Sequence, residues 1–187
     1  MTSKAESEKD DCNDPDADIN CSFVHMPASL SSIMNIAGKE EPGDKMIVSG
    51  TLLKSDGKTP YPDVIFYAYH TDSKGYYSKN GKEKGVQKWH GHLHGWCKTD
   101  RNGRYEIRTI RPAPYPNNKI PAHVHAAVKV PGKPSPYYIT DFVFSDDPMI
   151  NEQYRESIKG KTGGTGIVDL VKDGSVWKGK RDIILEP

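Results

Sequence analysis

The chain has 187 residues, a formal net charge of +1, 17 glycines and 14 prolines. That length suits one domain with a core of its own, and a charge so near zero gives no electrostatic ground for a nucleic-acid or anionic-membrane partner. No window approaches the ~18 consecutive apolar residues of a membrane-spanning helix, and no basic, apolar leader opens the chain, so a soluble protein is expected, cytoplasmic or exported with its leader removed.

Residues 1–22 hold seven acidic side chains and little to bury, which predicts a disordered tail ahead of a single domain over 23–187. Cys12 and Cys21 could close a small loop in an oxidising compartment, while Cys97 reads as a buried thiol. Leu30 to Ile36 suggests a short helical turn, ended by Pro42 and Gly43. The run from Lys45 to Lys54 is predicted as a strand, with Asp56-Gly57 as the turn after it. Asp63 to His70 alternates Val64, Phe66 and Ala68 against Ile65, Tyr67 and Tyr69, a strand covered on both sides. Asp72 to Gln87 is a long polar loop, of a kind that is usually functional or disordered, carrying Tyr76 and Tyr77.

Trp89 to Trp96 (WHGHLHGW) places His90, His92 and His94 at alternating positions, which on a strand would share one face. Asp100 to Gly103 is a hairpin turn between strands Trp96 to Thr99 and Arg104 to Ile110. Further strands are expected at Ala122 to Val130 and Tyr137 to Phe144, a short helix at Met149 to Lys159, and a hairpin from Gly166 to Leu185 about Asp173-Gly174. Glycine and proline punctuating short β-branched and aromatic runs predict an all-β chain: a two-sheet β-sandwich of about eight strands with long loops and little helix.

The stretch with most chemistry is PYPNNKIPAHVH, Pro114 to His125. Residues two apart on a strand project to one face, so His123 and His125 aim at one spot, and paired imidazoles are a metal clip. A pair of hydrogen-bonded core histidines would look the same. Tyr115, held between Pro114 and Pro116, has a backbone already restricted by those rings.

With that spacing the chain resembles the intradiol ring-cleavage dioxygenases, non-haem ferric enzymes that open catechols between the two hydroxyls. Their pattern T-D-x-x-G-x-Y-x-x-x-T-I-x-P-x-x-Y, then P-A-H-[IV]-H, is met at Thr99, Asp100, Gly103, Tyr105, Thr109, Ile110, Pro112, Tyr115, Pro121, Ala122, His123 and His125. The family's G-x-Y-S segment falls on Gly75 to Ser78, with Tyr77 rather than Tyr76 in register. The resemblance implies a β-sandwich, Fe(III) as cofactor, Tyr77, Tyr115, His123 and His125 as its ligands, and a small-molecule catechol and O2 as substrates. It gives Tyr115 a second role as general base. Two hard tyrosinate donors favour Fe(III) as two histidines and a carboxylate would not, and a trivalent cation lowers the phenol pKa, ordinarily near 10, far enough to form phenolate at neutral pH.

Departures from the family pattern are also legible. Ile120 stands where an arginine is usual, Asp141 where a glutamine is, and His94 precedes Gly95 where many members have arginine. His94 is therefore a candidate for a catalytic or substrate-side role, and Arg104, Arg108, Arg111, His92 or His94 for the missing positive charge. Tyr105, Tyr137 and Tyr138 read as packing residues. Two other functions stay open: a non-catalytic, metal-retaining sandwich that serves as a binding module, and a second metal site built from His90, His92 and His94. A homo-oligomer is also open.

Overall fold

The computed structural model describes residues 12–117 and 119–186. A 3-10 turn over Ile19–Phe23 precedes β1 (Ile33–Asn35), β2 (Lys45–Leu53), β3 (Ile65–His70), helix α1 (Gln87–His90), β4 (His94–Lys98), β5 (Arg104–Ile110), β6 (His123–Lys129) and β7 (Tyr137–Phe144). Helix α2 (Glu152–Ser157), β8 (Ile167–Val168), β9 (Leu170–Asp173), β10 (Val176–Lys180) and β11 (Ile183–Ile184) follow. One sheet runs β1-β5-β2-β10-β9, with β11 also paired to β2; the other runs β4-β3-β6-β7-β8. This is the all-β sandwich that the alternation predicts, with eleven strands among the described residues rather than about eight.

Strict alternation builds the core. Met46, Val48 and Leu52 of β2 and Ile107 of β5 point inward to meet Phe66, Ala68, Val124, Ala126, Val128 and Phe142 of the facing sheet. Each of these side chains larger than alanine contributes on the order of 1.5–3 kcal/mol by leaving water. The second sheet is also covered on its outer face. Phe23 packs on Tyr67 and Ala127 there, the Trp96 indole N–H donates to the Ser22 carbonyl at 2.8 Å, and a Cys12–Cys21 disulfide closes the covering segment.

Four expectations need correction or completion. Of the tail expected over 1–22, residues 1–11 lie outside the described residues, while 12–22 are docked on the sheet through these contacts. Leu30 to Ile36 is not a helical turn: Ile33–Asn35 pair in parallel with Glu106–Arg108, because the open edge of β5 needs partners and Met34, 1% exposed, fills the core. Trp89 to Trp96 is not one strand either. Gly91, at φ +75°, breaks it between α1 and β4. The expected terminal hairpin forms about Asp173-Gly174, but β8 and β11 pair in parallel with β7 and β2 and are too short to carry an alternating signal.

One irregularity positions the site. Val124 pairs with Phe142 and Ala126 with Ile139, so His125 alone faces both Thr140 and Asp141. Such a bulge re-aims a side chain, and here it turns Asp141 toward His125. The Thr140 N–H and hydroxyl both donate to the Thr162 carbonyl, each at 2.9 Å. Gly166, at φ +73°, lies so close behind the bulge that a Cβ there would collide with the Asp141 carbonyl oxygen. Gly164 has a similar φ of +83° but open space around it. Gly164→Ala therefore meets only left-handed strain, about 1–2 kcal/mol, whereas Gly166→Ala adds the collision and costs more, about 2–4 kcal/mol in all; paired denaturant titrations measure the difference.

Candidate metal centre

The alternation of β6 sends Val124, Ala126 and Val128 into the core and leaves His123 and His125 on the opposite face. Their Nε2 atoms lie 3.1 Å apart. The far nitrogen of each ring is already engaged: His123 Nδ1 meets the Pro121 carbonyl at 2.8 Å and His125 Nδ1 meets the Asp141 carboxylate at 3.0 Å. A carbonyl or carboxylate oxygen only accepts, so both Nδ1 atoms carry the proton and both Nε2 atoms present lone pairs.

Two loops bring phenols to the same point. Tyr115 is set by the Pro112 to Pro116 segment, which the Ala113 N–H fastens to the Asp72 carbonyl at 3.1 Å and the Thr71 hydroxyl, donating to the Ala113 carbonyl at 2.7 Å, holds from the other side. Tyr77 comes from the 72–87 loop, whose hub is Asp72. Its carboxylate accepts from Lys74 N–H (2.8 Å), Tyr76 N–H (3.1 Å) and the Ser78 hydroxyl (2.5 Å). The Tyr115 oxygen lies 3.1 Å from His123 Nε2 and 3.3 Å from His125 Nε2, and the Tyr77 hydroxyl is hydrogen-bonded to it. Tyr76, its neighbour, is 57% exposed.

Without a cation this cluster is electrostatically uncomfortable. Burial, then the Tyr115 hydroxyl, pushes the Tyr77 phenol well above its ordinary range, and burial raises Tyr115 too. Burial, then the neighbouring His125, holds His123 below the ordinary imidazole range. Two lone pairs face each other while two phenols resist ionising. A trivalent cation among the four atoms satisfies the lone pairs and favours phenolate at once. The donor set, two imidazoles and two hard oxygens, fits ferric iron. Asp141 is also near enough to form a three-residue cluster with the two histidines, but its contact with Nδ1 makes it the carboxylate that orients His125 rather than a fifth donor.

The remaining candidates lie elsewhere. His94 Nδ1 meets the Gly91 carbonyl at 2.7 Å and its ring packs on Trp96 and Tyr67, and among the described residues no hydrogen bond or ring contact joins it to the four donors. His90, His92 and His94 do not share a face, since the turn at Gly91 separates them. His90 stacks on Tyr69 at 3.7 Å, and Tyr69 in turn backs His125 at 4.7 Å. His92 fastens the Tyr77 loop, bonding the Ser78 carbonyl (2.7 Å) and the Glu41 carboxylate (2.9 Å). The expected arginines do not reach the cluster: Arg111 is held bidentate by Asp146 at 2.8 and 2.6 Å, Arg108 by Glu106, and Arg104 lies on the other sheet. Tyr105 is a packing residue whose hydroxyl donates to the Arg181 carbonyl at 2.6 Å. Tyr137 lies half-buried on the core and Tyr138 is exposed.

A family model described as Dioxygenase matches residues 21–178. The chain belongs to the intradiol ring-cleavage dioxygenases. Catechol 1,2-dioxygenase of Acinetobacter baylyi is 30% identical over 122 residues, 57% of this chain and 38% of its own length. Catechol 1,2-dioxygenase 1 of Acinetobacter lwoffii is 28% identical over 161 residues, 72% of this chain and 50% of its own. The chain thus spans half or less of these curated relatives. In fold it is similar to the dioxygenase domain of a dioxygenase carbohydrate-binding protein fusion from Streptomyces sp. SirexAA-E, at TM-score 0.63 and 21% identity, covering 86% of this chain and 92% of that one. The mercury-inhibited catechol 1,2-dioxygenase of Acinetobacter sp. ADP1 superposes at TM-score 0.61 and 23% identity, covering 86% and 59%.

In this family member a cavity of about 270 Å³ opens beside the four donors, lined by Tyr115, His123 and His125 together with Ile120, Asp141 and Tyr154. Tyr115 borders it and Tyr77 does not. Asp72, the clamping role of His92 and the Asp141–His125 contact escape motif reading, although Asp72 could have been suspected as an Asx-turn residue opening D-S-K-G. If Tyr77 is a donor, Tyr77→Phe reduces the tyrosinate charge-transfer absorption of the ferric protein by roughly half, since one of two such donors is lost, and Tyr76→Phe leaves it unchanged; visible spectra of the two iron-loaded variants test this.

Proposed function

We propose that the protein is a non-haem ferric dioxygenase that cleaves a catechol-type diol between its hydroxyls to a cis,cis-muconate-type diacid, with Tyr77, Tyr115, His123 and His125 holding the iron. The convergence of these four donor atoms at one point, in a member of this family, carries the proposal. Bound there, Fe(III) would supply the one-electron path by which a closed-shell diol can react with triplet oxygen. Both oxygen atoms enter the product, so no external reductant is required.

The protein's own groups then have separable tasks. Tyr115, the phenol that borders the cavity, is the general base that takes a proton from the entering diol, while Tyr77, turned away from the cavity, stays in place. Asp141 and the Pro121 carbonyl hold the two imidazoles in the tautomer that presents Nε2. Ile120 and Tyr154 wall the ring from water. The Cys12–Cys21 disulfide favours an oxidising compartment, and no helix among the described residues is long and apolar enough to cross a membrane.

The absence, among the described residues, of lysine and arginine from the cavity wall is the one observation favouring a non-catalytic metal-retaining module. Oxygen uptake separates the two. The enzyme consumes one O2 per catechol and releases a diacid absorbing in the ultraviolet, whereas a coloured, iron-loaded protein that binds catechol without uptake contradicts catalysis. Tyr115→Phe lowers kcat by about 10²- to 10⁴-fold, the usual worth of a positioned base, with the protein still folded by circular dichroism.

A further inference from the structure

The cavity beside the four donors is unusual in its charge. Among the described residues, the one carboxylate on its wall is that of Asp141, 35% exposed at the side chain. One Asp141 oxygen is held by His125 Nδ1 at 3.0 Å, and the other accepts no hydrogen bond from the described residues. Asp147, farther along the chain, takes the Ala122 and Met149 N–H groups on its two oxygens, both at 2.9 Å. Among the described residues no lysine or arginine lines the cavity; Lys119 lines the neighbouring groove that shares Ile120, Pro121 and Tyr154 with it. Arg111 is spent on Asp146. Arg181 is buried, its guanidinium over the Phe142 ring at 4.2 Å and bonded to the Gly163 carbonyl at 3.0 Å. Lys161 lines only the outer groove that adjoins the cavity, where Asp141 and Tyr154 are shared walls.

Resting on the diol-binding function proposed above, we propose that Asp141 makes this cavity select catechols by the charge of their ring substituent, admitting ammonium-bearing and neutral rings and turning away carboxylate-bearing ones. A diol seated at the four donors directs its ring into the space that Ile120, Tyr154 and Asp141 enclose. A substituent on that ring meets the free carboxylate oxygen at short range, partly screened from water. Interactions between unit charges in such a setting change dissociation constants by about 10- to 100-fold. Asp141 thus has two separable effects: it orients His125 through one oxygen and sets the potential of the cavity through its charge.

Asn at this position keeps an acceptor for His125 Nδ1 and removes only the charge, so Asp141→Asn separates the two. The experiment is an anaerobic titration of the ferric protein, followed by its visible charge-transfer band, with three rings of like size: 4-methylcatechol, 3,4-dihydroxybenzoate and 4-(2-aminoethyl)catechol. The wild type is expected to bind the ammonium ring tightest and the carboxylate ring weakest, across about 100-fold. Asp141→Asn should collapse the spread to about threefold; any loosening of His125 acts on all three rings alike, so the readout is the ratio between rings and not the affinity for any one of them. Ile120→Arg, at a position already 37% exposed, should reverse the order toward the carboxylate ring.

Equal binding of all three rings by the wild type, or a spread that survives Asp141→Asn, overturns charge selection while leaving diol binding intact. If no ring perturbs the band, the diol-binding function itself fails, and charge selection with it.

Discussion

Two imidazole nitrogens facing each other 3.1 Å apart, each with its other nitrogen committed to an acceptor, are the constraint on which the rest of this structure depends. Neither ring can turn its proton toward the other without giving up a buried hydrogen bond, and leaving such a group unpaired costs about 1–3 kcal/mol. Protonating both would set two cations in contact in a partly buried site. A metal ion would resolve the conflict, and the two phenols brought alongside would suit a hard, highly charged one. The features around the cluster either hold those four atoms in place or control what reaches them.

The fold supplies rigidity where the donors need it. β6 is paired on both sides, with β3 and β7, and its inward residues are locked in the core, so the histidines inherit the order of the sandwich. Tyrosines on loops have no such anchor, and side-chain bonds replace it: Asp72 gathers the turn before Tyr77, His92 clamps Ser78 beyond it, and Thr71 ties down the segment carrying Tyr115. The bulge opposite His125 completes the set by turning Asp141 inward.

Much of this was legible in the sequence, for identifiable reasons. β2, β5, β7 and the histidine strand carry long alternating patterns, and period-two burial is what a sandwich core demands. The H-x-H spacing gave the two histidines a common face by geometry alone. The choice of Tyr77 over Tyr76 rests on the resemblance; the structure sets the Tyr77 hydroxyl against that of Tyr115 and leaves Tyr76 exposed. What could not be read has equally physical causes. Gly91 adopts a positive φ that interrupts an apparent strand, so His90 enters a stacking contact, His92 a loop clamp and His94 the start of β4. β1 forms because β5 offers an edge, a fact of tertiary structure that no local preference of residues 33–35 encodes. The docking of residues 12–22 depends on a disulfide and on an aromatic face assembled from β3 and β4. The role of Asp141 depends on a bulge, which sequence alternation hides.

Resonance Raman spectroscopy of the iron-loaded protein, excited within its visible band, tests most directly whether two phenols and two imidazoles share one ferric ion. The account predicts one iron per chain and enhanced ring vibrations from two distinguishable coordinated tyrosinates. Iron bound with no tyrosinate vibrations would contradict it.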